Sequence, residues 1–118
     1  MNVEKFREII KERMRISIET QDEWDYGIEQ CWKQEIEILS EDIPGTMDFL
    51  KNECTADEYS WISEVLEELA ERTHSKELVD CYKSLMGKFP EECKTYYIEG
   101  VIKDAELTLV GNDDDGEN

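Results

Sequence analysis

Apolar residues recur with a helical period along most of this chain. In the first segment they stand at i, i+3, i+7 and i+11, as Val3, Phe6, Ile10 and Met14. Positions with this spacing share one face of a helix, because an α-helix has 3.6 residues per turn. No segment shows a convincing strand pattern. The sequence therefore predicts an all-α fold, a single compact helical bundle or stacked helical hairpins of five to six helices.

Turn and capping residues divide the helical pattern into segments. The first predicted helix covers residues 3–17, and the second runs from a capping box at Thr20–Glu23 to Ser40. After a break at Ile43-Pro44-Gly45, a third helix covers 46–54, and a fourth covers 56–73 after a capping box at Thr55–Glu58. The fifth runs from Ser75 to a helix-ending Gly87, and the last begins at Pro90. Several residues are expected in the core: Trp24, Ile28, Cys31, Trp32 and Leu39 in the second helix, and Cys93, Tyr97, Val101, Ala105 and Leu109 in the last. Gly27, inside the second helix, either weakens it or marks a close contact.

We expect residues 1–110 to form one helical domain, which 118 residues can build without disulfides or a metal. Residues 111–118 contain three consecutive aspartates, two glycines and no apolar side chain. This segment is predicted to be a disordered acidic tail.

The strongest compositional feature is the charge, with 31 acidic against 13 basic residues and a formal net charge of −18. Such a field repels nucleic acid and anionic membranes and favours a cationic partner. Solubility alone is the alternative explanation. Residues 1–18 depart from this balance, with five basic and three acidic side chains. We expect these bases to pair with acidic neighbours inside the fold.

Charged residues occur throughout positions 4–15, so no apolar signal sequence is expected, and no apolar run approaches the roughly 20 residues of a membrane span. The expected location is therefore cytoplasmic, where the four cysteines stay reduced. No C-x-x-C pair is present and His74 is the only histidine. We expect no metal, no cofactor and, by default, buried thiols.

No nucleophile motif, phosphate loop or dinucleotide fingerprint is present, so we expect no enzyme. His74 stands between Thr73 and Ser75 at a helix junction, where a capping or solvent-facing role is expected. Carboxylates alone could form an acid pair or a divalent metal site. This alternative is the weakest, because 31 acids produce close pairs by chance on every helix face.

Two acidic faces are candidate partner-binding surfaces. On the predicted helix 56–73, a row beside the core stripe contains an aromatic residue edged by acids: Asp57, Trp61, Glu64 and Glu68. On the second helix, four residues stand opposite the core stripe, with Tyr26 pointing outward: Asp22, Tyr26, Glu29 and Glu37. Glu41 and Asp42 add accessible charge in a loop before Pro44. The competing interpretation is that Trp61 packs under a neighbouring helix and the acids are only solvated.

Three stretches, 19–27 (ETQDEWDYG), 48–58 (DFLKNECTADE) and 61–65 (WISEV), resemble small acidic immunity proteins of bacterial polymorphic-toxin and contact-dependent growth inhibition systems. The resemblance implies a cytosolic inhibitor that binds one cognate toxin domain, commonly a basic nuclease, and occludes its active or substrate-binding surface. The alternative is an acidic adaptor or nucleic-acid mimic that binds a basic host protein. Neither function involves direct contact with nucleic acid or membrane, and the oligomeric state stays open.

Overall fold

The fold is known from a computed structural model, which describes residues 1–117 and the side chains of residues 1–110. This part of the chain forms eight helices and no strand: α1 (Val3–Thr20), α2 (Asp25–Glu41), α3 (Ile43–Asn52), α4 (Ala56–Ser63), α5 (Leu66–Thr73), α6 (Lys76–Ser84), α7 (Pro90–Thr95) and α8 (Ile98–Glu117). The all-α prediction is confirmed. The count of five to six helices is wrong, because two of the predicted helices are each divided by a turn.

Helix α8 includes the backbone of residues 111–117, which belong to the predicted disordered tail, but no side chain of residues 111–118 is described, and the disorder of the tail stays a prediction. Within the described residues, no helix combines the length and apolar character needed to cross a lipid bilayer.

Helix α1 buries a stripe that consists of Phe6, Ile9, Ile10, Arg13 and Ile16. Its end overturns the predicted capping box at Thr20–Glu23. The Thr20 hydroxyl donates to the carbonyl of Ile16 at 2.6 Å, so it closes α1 and is not available to begin α2. Gln21 and Asp22 follow with φ of 54° and 64°, which forms a tight left-handed turn without glycine.

Helix α2 begins at Asp25, and Trp24 occupies its N-cap position without a capping hydrogen bond. The predicted loop before Pro44 shrinks to one residue, Asp42, whose Oδ1 accepts from the Gly45 N–H at 3.2 Å. Pro44 therefore lies in the first turn of α3, where a missing N–H costs nothing, and the predicted break at 43–45 is wrong.

The capping box that begins α4 is confirmed. Thr55 Oγ1 accepts from the Glu58 N–H at 3.1 Å, and Glu58 Oε1 accepts from the Thr55 N–H at 3.0 Å. The helix does not run on to Thr73, because the Val65 N–H donates to Ile62 at 3.0 Å in a tightened turn and α5 starts at Leu66. The predicted core stripe is nevertheless buried, and it contains Tyr59, Ile62, Val65, Leu66 and Leu69.

His74 ends α5 in the left-handed conformation and its N–H donates to Ala70 at 2.8 Å, which confirms the capping role. The Ser75 cap of α6 and the position of Pro90 in the first turn of α7 are also confirmed. Gly87 is not a left-handed helix end, because α6 already ends at Ser84 and no described glycine has a positive φ.

A positive φ of 52° at Tyr97 separates α7 from α8 and shifts the helical register. Tyr97 is therefore exposed, contrary to prediction, whereas Ile98, Ile102 and Ala105 are buried. Of the other core residues predicted for this helix, Cys93, Val101 and Leu109 are half-buried.

A stacked pair of tyrosines joins α4 to α6 in the core. The rings of Tyr59 and Tyr82 lie 4.1 Å apart and nearly parallel, and each hydroxyl donates to the carbonyl of the other residue, at 2.8 and 2.6 Å.

The four cysteines are free thiols, and all but the half-buried Cys93 are buried, as expected of core residues. Burial raises the pKa of Cys54 to about 12, which makes this thiol unreactive.

Candidate partner-binding surface

Arg13 is the centre of a polar cluster that joins α1 to two later parts of the chain, the turn at Asp22 and the end of α4. It is only 4 % exposed. Its Nε and Nη2 donate to both carboxylate oxygens of Glu64, at 3.1 and 2.8 Å, and its Nη1 donates to Asp22 at 2.9 Å. Burial opposes the charge, but the hydrogen bonds to the two carboxylates raise the pKa of Arg13. The predicted pairing of the basic residues of α1 with acids is thus confirmed here, and again by Arg7 with Glu58 at 2.8 Å.

Two tryptophans complete this cluster. The Arg13 guanidinium lies 5.0 Å from the centre of the Trp61 ring, within the range of a cation–π contact. The Trp32 indole N–H donates to Glu64 Oε1 at 3.2 Å. Glu64 therefore accepts three hydrogen bonds, while its side chain stays 26 % exposed. Its carboxylate is fixed in place at the edge of the core.

Glu35 is the most unusual residue of this region. Its side chain is fully buried on α2, and neither carboxylate oxygen has a hydrogen-bond partner. Burial and the nearby Glu64 carboxylate raise the pKa of Glu35 to about 8, although Arg13 lowers it. The side chain is therefore neutral at pH 7, because an isolated charge is far more costly to bury than a neutral acid.

Beside the cluster lies a surface that we call the aromatic–acidic surface, formed by Asp22, Glu23, Trp24, Asp25, Tyr26 and Glu29. Trp24 is 46 % exposed and Tyr26 is 65 % exposed, and their ring centres lie 6.3 Å apart. The outward position predicted for Tyr26 is confirmed. The burial predicted for Trp24 is wrong, because α2 starts one residue after it and its indole lies outside the helix stripe.

Gly27 explains how the Trp24 indole is held. A Cβ built on Gly27 would lie 2.2 Å from Trp24 Cε3, so the indole rests directly against the backbone of the first turn of α2. The close contact suggested by a glycine within a helix is therefore real, and its partner is this indole.

We expect Gly27→Ala to displace the exposed Trp24 indole while α2 stays folded, because the added methyl group overlaps the ring and alanine favours the helix by roughly 1 kcal/mol. The measurement is the ¹H–¹⁵N spectrum, in which the Trp24 indole signal should move. The Trp32 and Trp61 indole signals should keep their positions. A variant with all three indole signals unchanged would show that the indole does not rest on Gly27.

The aromatic–acidic surface carries uncompensated charge. No lysine or arginine occurs between Arg15 and Lys33, whereas this interval contains Glu19, Asp22, Glu23, Asp25 and Glu29. Among the side chains described, no lysine or arginine pairs with Glu23, Asp25 or Glu29, and Asp22, although bound to Arg13, is 54 % exposed. The two exposed rings thus belong to a segment whose acids are exposed and available to a partner.

A pocket of about 260 Å³ lies between α4 and α8, and Glu64 is part of its lining. It is lined by Ser60, Trp61, Ser63, Glu64, Tyr96 and Val101. Asp22 and Glu64 bind the same guanidinium, so the pocket and the aromatic–acidic surface are linked through Arg13.

The predicted site residues divide into groups. Asp22, Trp61 and Glu64 meet around Arg13, and Tyr26 and Glu29 belong to the aromatic–acidic surface. The row predicted from Asp57 to Glu68 on one helix is wrong, because the turn at residues 64–65 separates α4 from α5. Asp57 and Glu68 are exposed on these two different helices. Trp61 is half-buried with Arg13 of α1 over its ring, which agrees with the packing that the competing interpretation expected, whereas Glu64 is bound to Arg13 and is not only solvated.

Glu41 and Asp42 are exposed, but they lie at the far end of the 17-residue helix α2, roughly 24 Å from its start. The N-terminal ammonium group of Met1 donates to Asp42 at 2.9 Å, and this contact, followed by the Gly45 N–H, lowers the pKa of Asp42. These two acids therefore do not belong to the surface that contains Tyr26.

Four residues of the candidate site were not identified from the sequence: Arg13, Trp24, Glu35 and Tyr96. Arg13 and Glu35 had a usable signal, because each charged residue occupies a position of its helix's own apolar stripe. Trp24 and Tyr96 had no such signal, because both lie at turns that contain no glycine and that the sequence therefore does not indicate.

No group of three or more histidine, cysteine, aspartate or glutamate side chains in the described residues is arranged to hold a metal ion. The strong features of this surface are aromatic rings and carboxylates, which suit a protein partner. Comparison of the chain with protein-family models, with curated proteins and with solved structures finds no match.

Proposed function

We propose that this protein binds a basic partner protein through the aromatic–acidic surface and blocks that partner's active or substrate-binding surface. The observation that carries the proposal is the pair of neighbouring exposed rings, Trp24 and Tyr26, among acids that no described lysine or arginine neutralises. Tryptophan and tyrosine supply much of the binding energy of protein interfaces, and both bind cations on their ring faces.

The charge of the whole chain supports the same function. A net charge of −18 steers a cationic partner toward the protein and raises the association rate, to as much as about 10⁸–10⁹ M⁻¹s⁻¹ at low salt. The rings then supply short-range affinity. Trp24 already rests against Gly27, so little of its freedom is lost on binding.

The resemblance to immunity proteins makes a toxin domain, most simply a basic nuclease, the proposed partner, with the complex formed in the cytoplasm. A nucleic-acid mimic is the less suitable alternative. A mimic needs carboxylates in a regular row, and the turn between α4 and α5 interrupts the row that the sequence predicted. The aromatic pair instead favours one specific partner.

The test uses the product of the gene immediately upstream. If that gene encodes a large secreted protein with a variable C-terminal domain, the isolated domain should arrest growth and this chain should restore it. We expect Trp24→Ala/Tyr26→Ala to weaken the complex by at least about 2 kcal/mol, roughly thirtyfold in Kd, because both interface anchors are removed. Calorimetry or surface plasmon resonance measures the loss.

Leu107→Ala is the control, because Leu107 is 67 % exposed on α8, a helix that contributes no residue to the aromatic–acidic surface. It should leave Kd unchanged, and circular dichroism should show both variants to be folded. A double variant that binds the toxin domain as tightly as the wild type would rule out this surface. Association rates that do not change with salt would rule out the electrostatic contribution.

A further inference from the structure

We propose that the pocket between α4 and α8 takes the side chain of a lysine or arginine. The inference rests on the proposed function for the source of that side chain, which is the basic partner. The pocket itself is a property of this chain, and it can be tested without the partner.

The lining combines aromatic walls with a carboxylate. Trp61 and Tyr96 contribute rings, Val101 contributes an apolar surface, and Glu64 contributes the charge. A volume of about 260 Å³ is enough for one long side chain. Lysine and arginine bury an apolar stem and keep a cationic end, so they match a pocket with an apolar wall and an acidic rim.

The hydroxyl oxygens of Ser60 and Ser63 and the carboxylate of Glu64 are hydrogen-bond acceptors in the pocket. The Ser60 hydroxyl donates to the carbonyl of Asp57 at 2.6 Å, and the Ser63 hydroxyl donates to the carbonyl of Ser60 at 2.5 Å. Both hydroxyl protons are therefore used, and the oxygens keep lone pairs. The indole N–H of Trp61 has no partner, but it is buried and offers nothing to a ligand in the pocket. A ligand that only donates, as ammonium and guanidinium groups do, suits this lining best.

Glu64 keeps a negative charge available despite its contact with Arg13. Its three hydrogen bonds leave one acceptor position of the carboxylate, and the side chain is 26 % exposed. Arg13 faces two carboxylates, Glu64 and Asp22, so this group of three side chains has a net charge of −1. A second cation bound beside Glu64 would neutralise this remaining charge.

The Trp61 indole already contacts one guanidinium, that of Arg13 at 5.0 Å. Tyr96, in contrast, is 56 % exposed and has a ring free for a partner. Closing a cationic side chain against Tyr96 and beside Glu64 would strengthen the cation–π attraction, because water is displaced from the contact.

The experiment is a titration of the intact protein with n-butylguanidinium and n-butylammonium, followed in ¹H–¹⁵N spectra. We expect both cations to bind with Kd on the order of millimolar and to shift the backbone signals of Ser60 and Ser63 and the indole signal of Trp61. n-Butanol, which has the same stem without the charge, should bind at least roughly fivefold more weakly.

Tyr96→Ser should weaken the binding of n-butylguanidinium roughly fivefold, the contribution of one cation–π contact. Tyr97→Ser is the matched control, because Tyr97 is 71 % exposed at the next position and does not line the pocket. Equal binding of n-butanol, an unchanged Kd in Tyr96→Ser, or shifts spread evenly over all acidic faces would each overturn the proposal.

The outcome separates this inference from the proposed function. Trp24→Ala/Tyr26→Ala should leave the titration unchanged, because neither ring lines the pocket. Failure of the titration would remove the pocket alone. Failure of that double variant to weaken the toxin complex would remove the aromatic–acidic surface alone.

Discussion

Replacement of Arg13 by methionine is expected to lower the free energy of unfolding by about 3 kcal/mol. Arg13 is 4 % exposed and joins α1 to Glu64 and to the turn at Asp22, so its removal leaves both carboxylates without their cation, and one of them, Glu64, lies near the buried Glu35. Removal of one partner from a buried ion pair typically costs about 3–5 kcal/mol. The lower end applies here, because both carboxylates can turn partly toward water. Urea denaturation followed by circular dichroism measures the change.

Arg15→Met is the matched control. Arg15 also binds two carboxylates, Glu12 and Glu19, but it is exposed on the same helix and all its partners are on α1. Its replacement should cost only a small fraction of the effect at Arg13, because exposed ion pairs contribute little. Arg13→Lys should fall between Arg13→Met and the wild type, since lysine keeps the charge but cannot bind both oxygens of Glu64 in a planar fork. If Arg13→Met is as stable as the wild type, the cluster does not hold the fold together.

The helices that could be predicted from the sequence are those whose signals are local. The stripe of Tyr59, Ile62 and Leu69 is buried as predicted, and the Thr55–Glu58 capping box forms with both hydrogen bonds. Both signals depend on residues that are near one another in the sequence, so contacts with distant parts of the chain did not change them.

The turns were harder to predict, because they use residues that give no turn signal. Gln21, Asp22 and Tyr97 adopt positive φ, a conformation for which glycine is the usual choice. Contacts formed on folding account for two of these residues: Asp22 binds Arg13, and the Tyr97 ring lies so close to Gly100 that a Cβ there would be 2.6 Å away. The exposure of Trp24 and Tyr97 depends on these turns, and so it could not be predicted from helical periodicity.

Only part of the candidate site could be predicted from the sequence, because some of its contacts join residues that are far apart in the chain. Tyr26 is exposed as its helical position indicates, because α2 is regular there. The sequence singles out Trp61 and Glu64 as partner-binding residues, and in the fold both contact Arg13, which lies 51 residues before Glu64 in the sequence. A charged residue inside an apolar stripe is the sequence feature that indicates such a contact, and both Arg13 and Glu35 show it.

Glu35→Gln is expected to remove a large pH dependence of stability. The folded protein raises the pKa of Glu35 from its ordinary value of 4.5 to about 8, so between these values the folded state binds a proton that the unfolded state has released. The contribution of Glu35 to the free energy of unfolding is therefore fully present below pH 4.5. As pH rises from 4.5 toward 8, this contribution falls by about 1.4 kcal/mol per pH unit. The whole window corresponds to on the order of 5 kcal/mol, and the loss levels off above pH 8.

The measurement is the difference in unfolding free energy between Glu35→Gln and the wild type, taken at several values between pH 5 and 8.5. The difference should grow with pH in favour of the variant, because glutamine has a similar shape but never ionises. Glu37→Gln removes the same charge from an exposed position of α2, and it controls for the change in net charge, so it should keep the wild-type decline. A difference between Glu35→Gln and the wild type that stays constant over this range would mean that Glu35 is ionised in the folded protein, with Arg13 turned toward it and away from Glu64.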